Sequence, residues 1–294
     1  METHYDKCFL NGNLINLKDL DEDIRYADDR LSFTSLNTLN ECAYRFFNET
    51  WEDIGLSDND NSAHGTFGHY FMSVFLSKFY LKDFNLDLFT EEALYLAEKV
   101  ITYDKSRARE KLKPEMTYFT LSTNLLYVTK SFKYEKYLEK ITNYLKIINE
   151  FLGHIPLSKI ANLYVETGIY VVTKAGRVVF GKADLIIEFI DGTYSIIDHK
   201  SSFIPMYFNS MQLKMYASIL KKPIKDLVIY ELSSGSWIKY SESVEVCLNE
   251  AKEFINEGLK RFKSGEELSV GEWCNGCPVR CLDSMTDSEG YVSM

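Results

Sequence analysis

Between residues 160 and 200 three stretches follow one another, LYVETGIYVV, RVVFGKADLIIEF and TYSIIDHK, each dense in β-branched and aromatic residues. Turn signals separate them at Lys174-Ala175-Gly176 and at Asp191-Gly192. The pattern predicts three antiparallel strands. Around them the hydrophobic period is helical: over 35–50, with Leu36, Leu39, Ala43 and Phe46 on one side and Ser35 or Thr34 as the cap, and over 64–79, with Phe67, Phe71, Val74 and Phe75. A third such helix is expected over 131–152, and a fourth from Asn209 to Leu220. Two short strands, around LVIYEL and SWIKYS, then precede a helix from Val244 to Phe262.

A chain of 294 residues with 46% hydrophobic content can bury one large core or two modest ones. No apolar run approaches the roughly 18 residues a spanning helix needs, and the first residues lack the basic flank and apolar stretch of a secretory leader. The expected location is cytoplasmic, or the host cytoplasm for a phage-encoded chain. A net charge of −10 repels a polyanion, so nucleic-acid binding calls for a local basic surface. Residues 105–113, KSRAREKLK, carry five basic residues against one acid and form the strongest such run. Tyr103, Tyr118 and Phe119 flank it as stacking groups for unpaired bases, and Ser201, Ser202 and Tyr207 are further phosphate contacts. A solvated helix face is the ordinary reading of the basic run.

The chemistry concentrates on the second and third strands. With a two-residue turn at Asp191-Gly192, Ile190 faces Thr193 and the position opposite Asp184 is His199, next to Asp198. Asp198 and Lys200 are two apart on a strand, so they share a face while His199 turns away. Paired carboxylates fit a hard cation such as Mg²⁺ or Mn²⁺, and a neighbouring lysine can stabilise charge developing on phosphorus. Taken alone, D-x-K at a strand end is usually ordinary polar sequence.

In this order the residues resemble the PD-(D/E)XK nuclease superfamily, in particular its RecB-type and CRISPR-adaptation-type iron-sulfur branch. GKADLI, with Asp184, resembles the family's G-x-x-D strand; IIDHKSS, with Asp198 and Lys200, its (D/E)-x-K strand; QLKMY, with Gln212 and Tyr216, its Q-x-x-x-Y helix. GTFGHYF resembles the helical G-x-x-x-H element, which makes His69 a metal ligand, although a lone helical histidine is more often structural. Glu166 in YVETGIY resembles the glutamate on the preceding strand, in a supporting role. The resemblance implies an α/β, restriction-endonuclease-like core with a mixed sheet flanked by helices. It implies a metal held by His69, Asp184, Asp198 and the backbone carbonyl of His199, with Lys200 assisting a water and Gln212 and Tyr216 positioning DNA.

Cys274, Cys277 and Cys281 form a compact C-x2-C-x3-C group, a crowding of thiols that favours a metal or cluster. The iron-sulfur nucleases resemble this layout, with one cysteine ahead of the core and three behind, and TSLNTLNECAYRFF is similar to their first cysteine helix. The resemblance makes Cys42 the fourth ligand of a [4Fe-4S] cluster; Zn²⁺ suits four thiolates equally. Cys247 falls on the apolar face of the last helix and reads as core.

The expected organisation is an N-terminal extension over 1–31, one nuclease domain over 32–283 with a helical insertion at about 80–155, and a tail over 284–294. The function implied is metal-dependent hydrolysis of DNA, as an exonuclease on single-stranded or free-ended substrate in recombination, repair or phage DNA metabolism. A helicase or recombination protein is an expected partner, since no G-x-x-x-x-G-K-[ST] loop occurs. Two alternatives stand beside this: a catalytically silent DNA-binding or assembly subunit with the same fold, and a zinc-ribbon interaction module on an unrelated enzyme.

Overall fold

The computed structural model describes residues 2–4, 6–27, 30–48, 60–79, 83–101, 117–118, 142–143, 146–148, 150–200 and 210–265. Eight strands among them form one mixed sheet: β1 (Glu2–His4), β2 (Lys7–Leu10), β3 (Asn13–Asn16), β4 (Ile160–Val172), β5 (Val178–Phe189), β6 (Tyr194–Lys200), β7 (Ile224–Glu231) and β8 (Ser236–Lys239). The order is β3-β2-β4-β5-β6-β7-β8, with β1 paired to β4 off that path. As expected, β4, β5 and β6 are antiparallel; β7 then pairs parallel to β6 and antiparallel to β8. A parallel neighbour demands a crossover, and the connection from β6 to β7 contains the helix over Met211–Leu220.

The other described helices are α1 (Glu22–Arg25), α2 (Phe33–Glu41), α3 (Ala43–Asn48), α4 (Asp60–Lys78), α5 (Leu86–Ile101) and α7 (Val244–Ser264), the crossover helix being α6. They cover both sheet faces. On one side Phe71 and Phe75 of α4, Phe89 of α5 and Phe151 pack against Leu163, Leu185, Ile197 and Val228. On the other, Leu36 and Leu39 of α2, Leu213 of α6 and Cys247 of α7 pack against Ile186, Ile196 and Ile229. Burial of Cys247 agrees with its reading as core. Among the described residues no helix is long and apolar enough to cross a membrane.

Four local expectations are corrected. The first helix is capped by Ser32, whose side chain accepts the Ser35 N–H, and not by Thr34 or Ser35. It does not run through residue 50: Cys42, extended at φ −156° and ψ 110°, breaks it into α2 and α3. The hairpin after β5 has a three-residue loop, since Phe189 and not Ile190 faces Thr193, with Gly192 at φ 81° closing the turn. Finally, Tyr118 is no stacking group: it is buried against Phe84 and Phe89, and its hydroxyl accepts the Asn85 N–H. Of the helix expected over 131–152, the described positions are helical and bury Ile147, Ile148 and Phe151; the rest lies outside the described residues.

Candidate active site

The corrected hairpin brings the carboxylates closer than the sequence implied. Leu185 faces Ile197, and the same register carried one step further sets Asp198, not His199, opposite Asp184. On the other flank of β5, the pairs Val165↔Leu185 and Thr167↔Ala183 bracket Glu166 and Asp184. Glu166 has φ 51°, a left-handed conformation that costs a residue with a Cβ about 1–3 kcal/mol. Residues two apart on a strand normally share a face. Here Val165 and Leu185 pack on the α4 side, whereas Ile169 and Ala183 pack on the α6 side, so both strands turn over at this point.

Asp184 sits at the crossing and is reached from both directions. Its Oδ1 lies 3.2 Å from Nδ1 of His69 on α4, and its Oδ2 accepts the His199 N–H at 2.7 Å. Asp198 and Lys200 project toward α6 and form an ion pair at 2.7 Å. Lys200 Nζ also donates to Gln212 Oε1 at 3.4 Å, and Gln212 Nε2 donates to the Tyr216 hydroxyl at 2.8 Å. One turn of helix separates Gln212 from Tyr216, which is why an i, i+4 pair makes this chain of contacts.

Two residues outside the predicted set hold the arrangement. A Cβ at Gly181 would come within 2.5 Å of the Tyr216 ring, so the first position of G-x-x-D must be glycine for the tyrosine to seat. Lys182 pairs with Glu166 at 2.5 Å. Both fall inside the GKADLI motif; neither role is visible without knowing which helix lies over the strand. On the far side of α6, buried Lys214 pairs with Glu242 and Glu250 at 2.5 Å each, tying α6 to α7.

The electrostatics report crowding of negative charge. Burial and the neighbouring Asp184 charge push the Asp198 carboxyl up to about 6 despite Lys200. Burial also opposes ionisation of Asp184, but His69, His199 and the His199 N–H outweigh it and hold Asp184 at about 2. For His69 burial works against the cation, and the Asp184 carboxylate more than compensates, raising its pKa. Burial and Asp184 together raise Glu166 against the pull of Lys182. His199 is driven by burial down to about 4 and is therefore neutral at pH 7.

These residues fit a divalent cation. One ligand atom each from His69, Asp184 and His199 lies within 4.8 Å of the others. Asp198 Oδ2 is buried with the Lys200 ammonium 2.7 Å away, and His199 Nε2 is buried without a hydrogen-bond partner. Acceptors left open beside crowded carboxylates are what a cation satisfies.

A family model described as the PD-(D/E)XK nuclease superfamily matches residues 30–282, most of the chain. The chain belongs to the PD-(D/E)XK nuclease superfamily. No curated protein matches it. Membership implies a nuclease hydrolase of a family that uses divalent metals, and the match spans every residue of the cluster just described. Residues 2–16 precede the matched region, yet their three strands join the same sheet. Within this PD-(D/E)XK chain Cys42 is buried in the break between α2 and α3, its Sγ receiving the Arg45 N–H at 3.4 Å. Cys274, Cys277 and Cys281 lie outside the described residues, as do the basic run 105–113, Tyr103, Phe119, Ser201, Ser202 and Tyr207.

Proposed function

We propose that this chain hydrolyses DNA phosphodiester bonds with Mg²⁺ or Mn²⁺, as an exonuclease on single-stranded or free-ended DNA in recombination, repair or phage DNA metabolism. One observation carries the reading: the carboxylates of Asp184 and Asp198 come together beside His69 and His199, with one ligand atom each of His69, Asp184 and His199 within 4.8 Å of the others and His199 Nε2 left without a hydrogen-bond partner. His69, Asp184, Asp198 and the carbonyl of His199 would hold the ion. Bound there, it supplies a Lewis acid for the phosphoryl oxygen and lowers the pKa of a water.

The chain's own groups do the rest. Lys200 Nζ, held between Asp198 and Gln212, orients the attacking water and meets the charge that develops on phosphorus. Gln212 and Tyr216 form a polar edge on α6 that positions a phosphate or a base. Glu166 supports the site by keeping Lys182 beside it.

A [4Fe-4S] cluster on Cys42, Cys274, Cys277 and Cys281, with Zn²⁺ as the alternative, belongs to the same proposal. Packing of the first cysteine's helices on α7 supports it. Phe33 stacks on Phe254 at 5.9 Å, Phe46 and Phe47 meet Phe262 at 5.9 and 5.5 Å, and Asn40 Nδ2 donates to the Phe254 carbonyl at 3.0 Å. The end of α7 thus lies beside α3, and Cys274, Cys277 and Cys281 follow it in the sequence. In this reading the nuclease domain spans 32–283, the protein works in the cytoplasm of its cell or host, and a helicase or recombination protein delivers the strand.

The test is cleavage of end-labelled single- and double-stranded DNA with Mg²⁺ or Mn²⁺ by anaerobically purified protein. Metal-dependent release of short products from one end is expected; uncut substrate with intact, cluster-loaded protein rejects the nuclease reading.

A further inference from the structure

We propose that the imidazole of His199 is itself a ligand of the divalent cation, so that the site selects Mn²⁺ over Mg²⁺; this rests on the metal-dependent nuclease reading above. The middle residue of D-x-K turns away from Asp198 and Lys200 by strand alternation. In this chain it enters the aromatic core on the α4 side, with ring centroids 6.0 Å from Phe151 and 6.2 Å from Tyr230. A residue needed there only for packing would be apolar. His199 is instead 1% exposed with Nε2 lacking any hydrogen-bond partner, a desolvation cost that a phenyl ring of similar shape avoids.

The ring's position supplies a reason for that cost. The His69 and His199 rings are 6.2 Å apart and meet edge to face at 65°, and one ligand atom from each lies within 4.8 Å of an Asp184 oxygen. Asp184 therefore has carboxylate company on the α6 side and two imidazoles on the α4 side. The His199 backbone is pinned to the same carboxylate through its N–H at 2.7 Å, which fixes where the side chain begins. Two imidazole nitrogens with carboxylate oxygen form a borderline donor set that suits Mn²⁺ and later transition ions, whereas Mg²⁺ keeps to oxygen ligands and water.

The experiment uses the full chain. Pulsed electron paramagnetic resonance of the Mn²⁺-loaded wild type is expected to show nitrogen couplings from two imidazoles, and Mg²⁺ competition to show Mn²⁺ bound at least about tenfold more tightly. His199→Phe and His199→Gln should each lose one nitrogen coupling and weaken Mn²⁺ binding by about tenfold or more, with Mg²⁺ affinity unchanged. Couplings from a single imidazole in the wild type, or variants that keep its Mn²⁺ affinity, overturn the assignment. The two readings fail separately. A wild type that shows both imidazoles on Mn²⁺ but cuts no DNA rejects the nuclease and keeps the ligand; one that cuts DNA with a single imidazole on the metal does the reverse.

Discussion

Near the turn of the β5–β6 hairpin, Glu188 Oε2 accepts from the Tyr164 hydroxyl at 2.5 Å and from Asn162 Nδ2 at 2.8 Å, while Oε1 accepts from the Tyr194 hydroxyl at 2.6 Å. Four residues earlier on the same strand, Asp184 faces Asp198, and the buried Oδ2 of Asp198 has the Lys200 ammonium 2.7 Å away. Both clusters use carboxylates on one hairpin, but their balance differs. Burial disfavours ionised Glu188, and three donors outweigh it, so its pKa falls. At Asp198 burial and a like charge outweigh one lysine, and the pKa rises to about 6. A carboxylate saturated by neutral donors is part of the scaffold. One crowded by its own kind asks for a cation from outside.

Substitutions can break the comparison at either end. The largest effect is expected from Lys200→Ala and Asp198→Ala, each lowering the cleavage rate by about 10²–10³-fold or more, with Glu188→Gln cutting at the wild-type rate. Rates on end-labelled DNA check this, and loss of activity in Glu188→Gln would remove the distinction. Next comes Gly181→Ala, which drives a methyl into the Tyr216 ring and should slow cleavage by up to about 10²-fold. In a Tyr216→Ala background the same change should cost nothing further, and additive losses would sink the seating argument.

Stability should then separate the clusters with opposite signs. Without metal, Asp198→Asn relieves a buried like-charge contact and is expected to raise the melting temperature by about 2–4 °C. Glu188→Gln, in a partly solvated cluster, should cost roughly 1 kcal/mol in urea unfolding after allowance for screening. The smallest effect is in the acid limb. Because the folded pKa of Glu188 lies below its ordinary 4.5, its stabilisation is present above pH 4.5 and fades as pH falls through the lower folded value. Urea midpoints measured from pH 5 downward should fall less steeply in Glu188→Gln than in wild type; parallel curves would show that the tyrosine hydrogen bonds do not hold that carboxylate down.

Much of the fold was legible because local periods are strong over β4 to β6, α6 and α7. The N-terminal strands are not legible by pattern, although Asn11-Gly12, at φ 51° and 85°, is a two-residue hairpin signal. Strands of three and four residues carry too little alternation to stand out, and β1 and β2 are fixed by pairing with β4, more than a hundred residues away, with β3 held on β2. The Asp191-Gly192 turn was recognised but its length was not, since an aspartate-glycine pair serves a two- or a three-residue loop. What fixes it is the pairing of the two strands: only the longer loop sets Tyr194 against Glu188 and Ile197 against Leu185. A slip by one would turn every β6 side chain to the other face.

By itself the sequence determined which donors exist and which can act together. Asp198 and Lys200 must share a strand face two residues apart, and Gln212 and Tyr216 a helix face four apart, because those spacings are properties of the backbone. Tertiary structure alone decided that β4 and β5 turn over at Glu166, that Tyr216 comes to rest on Gly181, and that the His199 ring arrives behind Asp184 beside His69. Such placements depend on contacts between segments far apart in the chain, and no local spacing encodes where a distant helix will lie.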